Sequence, residues 1–135
     1  MSRIIVITGT RKGIGKELSE YYLNNNDIVI GCSRGESTIN HENYRHFVLD
    51  VSDEKAVVNM IRSVKKEFGK IDILLNNAGI GSKGINYDKT DYQAFENVMK
   101  INAWGPFVGM KTVAPIMIKN KKGSIITIYF YISLF

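Results

Sequence analysis

Three glycines, Gly9, Gly13 and Gly15, stand at the spacing G-x-x-x-G-x-G directly after the apolar run Ile4-Ile5-Val6-Ile7. The run holds no polar residue, as suits a parallel strand buried on both faces. Gly9 lets the chain turn at the strand end, and Gly13 and Gly15 omit Cβ atoms where a backbone or a ligand comes close. Downstream, Ile14, Leu18, Tyr21 and Tyr22 follow helical spacing. A helix there aims its first amides and the positive end of its dipole into the turn. Such a turn suits an anion, and in this setting a dinucleotide pyrophosphate. The glycine spacing alone fits an empty turn equally well.

Asn102 is the second residue with chemical content, because Pro106 follows four positions later in a helical pattern. Proline lacks an N–H and its ring pushes away the carbonyl at i−4. The helix is expected to bend there and leave the Asn102 carbonyl free for water, although a plain kink accounts for the same residues. Other reactive groups are scarce. Cys32 is the single cysteine, which excludes an internal disulfide and fits a reducing cytoplasm. His41 and His46 lack metal-ligand spacing, so no metal is expected.

The elements that must position these residues can be taken in order along 135 residues, enough for one domain with a real core, residues 1–135. Strands are expected at Ile4–Ile7, Ile28–Cys32, Phe47–Leu49, Ile71–Leu75 and from Ser124 to the terminus. Ser52 is expected to cap a helix with the stripe Val57, Met60, Ile61, Val64 and Phe68, stopped by Gly69. Thr90 to Gln93 reads as a capping box opening a long helix to about Lys119. The glycine-rich stretch Ile80–Lys89 reads as a loop over a site. Strands alternating with helices imply an α/β domain, a parallel sheet with helices on both faces. The net charge of +5 is spread over the chain apart from Lys65-Lys66 and Lys119–Lys122, read as solvated helix ends and not as a nucleic-acid surface. No membrane partner is expected: the start is too short for a secretory leader, and Ile125–Phe135 too short to span a bilayer.

Several motifs fall at the carboxyl ends of successive strands, the edge where doubly wound sheets bind ligands. Thr8–Gly15, Asp50-Val51, Asn76-Asn77-Ala78-Gly79 and Asn102 together resemble the short-chain dehydrogenase/reductase family, reductase branch, up to about Thr127. The resemblance implies a Rossmann-like doubly wound sheet of order 3-2-1-4-5 in three layers, here incomplete. It implies cofactor binding by Gly9, Arg11, Lys12, Gly13, Ile14, Gly15, Arg34, Asp50, Val51, Asn77, Ala78 and Gly79. It also implies a catalytic water held by the Asn102 carbonyl, a carbonyl or alcohol substrate, and a homo-oligomer.

Cofactor choice follows from charge. A carboxylate at the end of the second strand would accept from the ribose 2′-OH of NAD. Gly31, Cys32, Ser33 and Arg34 stand there instead, and Lys12 supplies a second cation, the pair that the resemblance associates with a preference for NADP(H) over NAD(H).

The pattern then breaks. The family's chemistry needs a Tyr with Lys four residues on, the Lys drawing the phenol pKa towards neutrality. No tyrosine of this sequence has that partner, and Tyr129-Phe130 replaces the expected serine pair. The tail from Tyr129 to Phe135 reads as a frameshifted or prematurely stopped frame. Three readings stay open: an oxidoreductase whose catalytic half is absent, a nucleotide-binding module without chemistry, and an interaction protein pairing through its last strand. An isolated chain of this kind is expected to self-associate.

Overall fold

The computed structural model describes residues 2–81 and 87–129. The apolar runs form β1 (Ile4–Thr8), β2 (Ile28–Ser33), β3 (Tyr44–Val48), β4 (Ile73–Asn76) and β5 (Ser124–Thr127). All neighbours pair in parallel in the order β3-β2-β1-β4-β5, as the resemblance implies. Successive strands run outward on either side of β1, so the crevice between the β1 and β4 loops is the switch point where such sheets take ligands.

Alternation along the strands divides the core. Ile4, Val6, Ile30, Cys32 and Leu74 pack with Val57, Met60, Ile61 and Val64 of α2 (Glu54–Phe68) and with Val108, Val113 and Met117 of α4 (Gly105–Lys119). Ile5, Ile7, Val29 and Leu75 turn the other way, against Leu18, Tyr22 and Leu23 of α1 (Gly13–Asn24). Each such side chain contributes about 1.5–3 kcal/mol when fully buried, which is why both-face apolar strands define the sheet. Ile126 of β5 pairs with Leu75 on the α1 side but is 46% exposed.

Five expectations need correction. β3 starts at Tyr44 and not at Phe47, because an edge strand can alternate buried Tyr44 with exposed Arg45. The α2 cap is Asp53, which accepts from the Ala56 amide at 3.2 Å. Ser52 is occupied elsewhere: its amide and hydroxyl both donate to Asp50 Oδ1, at 2.8 and 2.7 Å. Likewise Asp91, not Thr90, caps α3 (Tyr92–Met99), taking the Ala94 amide at 2.8 Å; a carboxylate meets the helix dipole better than a hydroxyl.

The single long helix is instead α3, a π turn over Lys100–Trp104, and α4 with Pro106 in its first turn. In the π turn the Gly105 amide reaches the Lys100 carbonyl, one residue beyond the α-helical partner. The last strand, expected to run to the terminus, stops at Thr127 within the described residues. Residues 82–86 of the expected glycine-rich loop, and Tyr131 and Ser133, lie outside the described residues. A short 3₁₀ turn, Tyr87–Lys89, follows that loop.

Candidate functional site

The site begins with how β1 is released into α1. Gly9 has φ +75°, and a Cβ there would come 2.9 Å from the Ala78 Cα, so only glycine lets the turn lie against the end of β4. The amides of Gly9 and Thr10 donate to the Cys32 carbonyl at 2.8 and 3.2 Å, tying the turn to β2. Gly15 closes the other side: a Cβ on it would overlap the Gly9 carbonyl oxygen and reach 2.5 Å from Asn77 Nδ2. Gly13, by contrast, has φ +59° with open space where a Cβ would project.

Thr8 and Asn77 lock β1 to β4. Thr8 Oγ1 accepts from the amides of Asn77 and Ala78 at 3.0 and 2.9 Å. Asn77 Nδ2 donates to the carbonyls of Thr8 and Gly9, both at 3.2 Å. Asn77 Oδ1 is buried without a hydrogen-bond partner among the described residues. A buried orphan acceptor costs about 1–3 kcal/mol, and a hydroxyl-bearing ligand would remove that cost.

These segments wall a cavity of about 350 Å³. From the turn come Gly9, Arg11, Lys12, Gly13 and Ile14; from the end of β2, Cys32, Ser33, Arg34 and Gly35. Asp50 and Val51 line it after β3, and Asn77, Ala78 and Gly79 after β4. Thus all the expected cofactor-binding residues meet at one place except Gly15, which lies behind the wall as a packing residue. Among the described residues Arg11, Lys12 and Arg34 form no ion pair. Among the described residues Asp50 is the one acidic residue lining the cavity, and its Oδ1 already serves Ser52.

Burial pushes the Cys32 thiol up to about 12, against a weaker opposing bond from Gly9. It therefore stays protonated and packs as a small apolar group. Asn102 lies outside the wall, where its Oδ1 accepts from the Ile80 amide at 2.8 Å and its Nδ2 donates to the Ile80 carbonyl at 2.7 Å. Its side chain thereby clamps the loop after β4. Leu49, Ile80 and Ile101 complete the wall; they are ordinary apolar residues with no motif to mark them. The Thr8 clamp had a signal, a hydroxyl at the last position of an otherwise apolar strand.

The arrangement offers helix-terminal amides, cations and an orphan acceptor within one crevice. This is the chemistry of an anionic nucleotide site. Among the described residues no His/Cys/Asp/Glu cluster could hold a metal, and no helix is long and apolar enough to cross a membrane.

Known proteins carry the same plan. The chain is 40% identical over 134 residues to the 3-oxoacyl-[acyl-carrier-protein] reductase FabG of Buchnera aphidicola subsp. Baizongia pistaciae, over 93% of this chain and 54% of that protein. It is 34% identical over 121 residues to an uncharacterized oxidoreductase of Schizosaccharomyces pombe, covering 88% and 41% of the two. The structure of ElxO with NADP bound superposes with a TM-score of 0.87 at 32% identity, over 94% of this chain and 55% of that one. The chain thus spans about half the length of the relatives it matches. The sequence model described as short chain dehydrogenase matches residues 3–132. With that match joined to the sheet order and the glycine turn, the chain belongs to the short-chain dehydrogenase family.

Proposed function

We propose that the chain is the dinucleotide-binding part of an oxidoreductase and takes NADP(H) in preference to NAD(H). The observation that carries the preference is the cluster of Arg11, Lys12 and Arg34 on the cavity wall, with no carboxylate at the end of β2. Glu36, the next acidic residue, is exposed and does not line the cavity. The pyrophosphate lies at the turn, under the amides that open α1. Asn77 Oδ1 accepts from a ribose hydroxyl, and Asp50 and Val51 receive the adenine.

A bound cofactor of this kind supplies or accepts a hydride, with a small-molecule carbonyl or alcohol as the other reactant. Asn102 holds the loop after β4 through Ile80, and its carbonyl is available at the π turn to order a water. The sequence has no Tyr with Lys at the fourth position beyond it, so these 135 residues alone bind cofactor without turning a substrate over.

The test is the 2′-phosphate. Each charge-assisted hydrogen bond to it contributes about 1.5–3 kcal/mol, and about 1.4 kcal/mol is tenfold in affinity. Arg34→Asp should therefore weaken NADPH roughly tenfold or more, read by fluorescence titration with NADPH and NADH. Equal affinity of the unmodified chain for the two cofactors would sink the reading.

A further inference from the structure

One run of hydrogen bonds lies behind the cationic end of the cavity and joins the segments that carry the cations. Thr10 Oγ1, fully buried beside Arg11, is 2.7 Å from the Tyr44 hydroxyl. That hydroxyl is 2.8 Å from His46 Nδ1. His46 Nε2 is 2.9 Å from the Gly35 carbonyl and 3.2 Å from Ser33 Oγ. Ser33 Oγ donates to the same Gly35 carbonyl at 2.7 Å.

The direction of the run follows from chemistry. A carbonyl only accepts, so Nε2 carries a proton, and in the Nε2–H tautomer Nδ1 is an acceptor. Tyr44 then donates to His46, and Thr10 donates to Tyr44. Burial raises the Tyr44 phenol against opposing bonds from Thr10 and Ser37, so the hydroxyl keeps its proton at neutral pH.

The fold makes room for this connection. A Cβ at Gly31 of β2 would overlap the Tyr44 hydroxyl and lie 2.5 Å from Thr10 Oγ1; glycine lets the bond cross the strand. At the far end, a Cβ on Gly35 would come 2.9 Å from an Arg11 guanidinium nitrogen. Gly35 is thus fixed at its carbonyl by His46 and Ser33, while Arg11 rests on its other side. Neither Tyr44 nor His46 lines the cavity.

We infer that Tyr44 and His46 are positioning residues that set the NADP(H) preference, by bracing the glycine turn and the Arg34 loop at the spacing a 2′-phosphate needs. This rests on the NADP(H) reading above. Hydrogen-bonded side chains that fix first-contact groups commonly change affinity without touching the ligand.

The experiment is titration of the full 135-residue chain with NADPH and with NADH, each beside a thermal melt. The variants are Tyr44→Phe, which removes only the hydroxyl, His46→Ala, and His46→Gln, which returns an amide donor towards Gly35. The expected result is about tenfold weaker NADPH for Tyr44→Phe and His46→Ala, with NADH changed less than about twofold. His46→Gln should recover most of the loss. An undiminished NADPH preference in both Tyr44→Phe and His46→Ala overturns the inference alone. Parallel loss of both cofactors with a lowered melting temperature also overturns it, since it marks general loosening. If His46→Ala does not fold, Tyr44→Phe and His46→Gln decide by the same criteria. A wild-type chain that binds the two cofactors equally overturns both this inference and the reading beneath it.

Discussion

Replacing Gly15 and Gly13 by alanine, one at a time, separates the framework of the glycine turn from its ligand face. At Gly15 the added Cβ would overlap the Gly9 carbonyl oxygen and stand 2.5 Å from Asn77 Nδ2. The first is backbone, so α1 must move off the end of β1. Overpacking of this kind costs about 1–3 kcal/mol, with a backbone clash at the upper end. Alanine in a helix returns about 0.8–1.0 kcal/mol over glycine, leaving a net loss of about 2 kcal/mol. Unfolding entropy of about 2.1 cal/mol/K per residue makes 1 kcal/mol equal to about 3.5 °C for a chain of this length. Gly15→Ala should then lower Tm by about 7 °C. At Gly13 the Cβ meets open space, and the cost is the left-handed φ of +59°, about 1–2 kcal/mol. Alanine's stiffer unfolded chain offsets about 0.4–1 kcal/mol of it, so Tm should fall by less than about 6 °C, while the methyl group added at the cavity wall weakens NADPH. The assay is circular dichroism melting beside cofactor titration. A Gly15→Ala chain melting at or above the wild-type temperature would refute the packing argument, because the helix-propensity gain would then outweigh the clash.

Three further outcomes are expected. Burial of Asp27 opposes its ionisation, but its bonds with Arg3 outweigh that and hold its carboxyl below the ordinary 3.8; this stability is present above that pH and is lost as pH falls through the lower folded value. Asp27→Asn should therefore lower Tm at neutral pH, with the gap closing well below pH 3.8; a gap independent of pH would show that the charge is not the cause. Phe95, Phe107 and Ile126 are all about half exposed, so the chain should self-associate in sedimentation velocity, and Phe95→Glu with Phe107→Glu should reduce association; a monodisperse wild-type monomer contradicts this. NADPH oxidation against ketones, aldehydes and 3-oxoacyl thioesters should stay at the blank level, since loss of a general acid costs about 10²–10⁴-fold; turnover proportional to protein and abolished by Gly13→Asp would refute it.

The sheet was legible because its strands are buried on both faces. Ile4–Ile7 and Ile28–Cys32 carry no competing helical period, and their pairing, Ile4 with Ile28 through Thr8 with Cys32, buries every apolar residue except the half-buried Ile28. The edge strand was not legible over its full length. Tyr44, Arg45 and His46 look like the end of a polar loop until Tyr44 is seen reaching across Gly31 to Thr10. The caps slipped by one residue for a related reason. Ser52 and Thr90 are good caps in isolation, but each precedes an aspartate that competes for the same amides, and Asp50 also claims Ser52. Local propensity ranks candidates; tertiary hydrogen bonds choose among them.

The site divides along the same line. Gly9, Gly13 and the cations could be read from spacing and charge, since those properties belong to single residues. The Thr8 clamp, the Ile80 contact and the His46 run join residues tens of positions apart and leave no periodic trace. Asn102 shows both halves at once. Pro106 removes the amide that would have met the Asn102 carbonyl four residues on, which the sequence states outright. The structure adds that the Asn102 side chain is bound at both its polar atoms to Ile80. With residue 102 fixed to the loop after β4 and Pro106 unable to donate, the helix widens by one residue, and Gly105 takes Lys100 as its acceptor. The π turn therefore follows from two constraints acting on one residue. Asn102→Ala, which releases only the side chain, should loosen the loop at Ile80 while Pro106 still withholds the amide opposite residue 102.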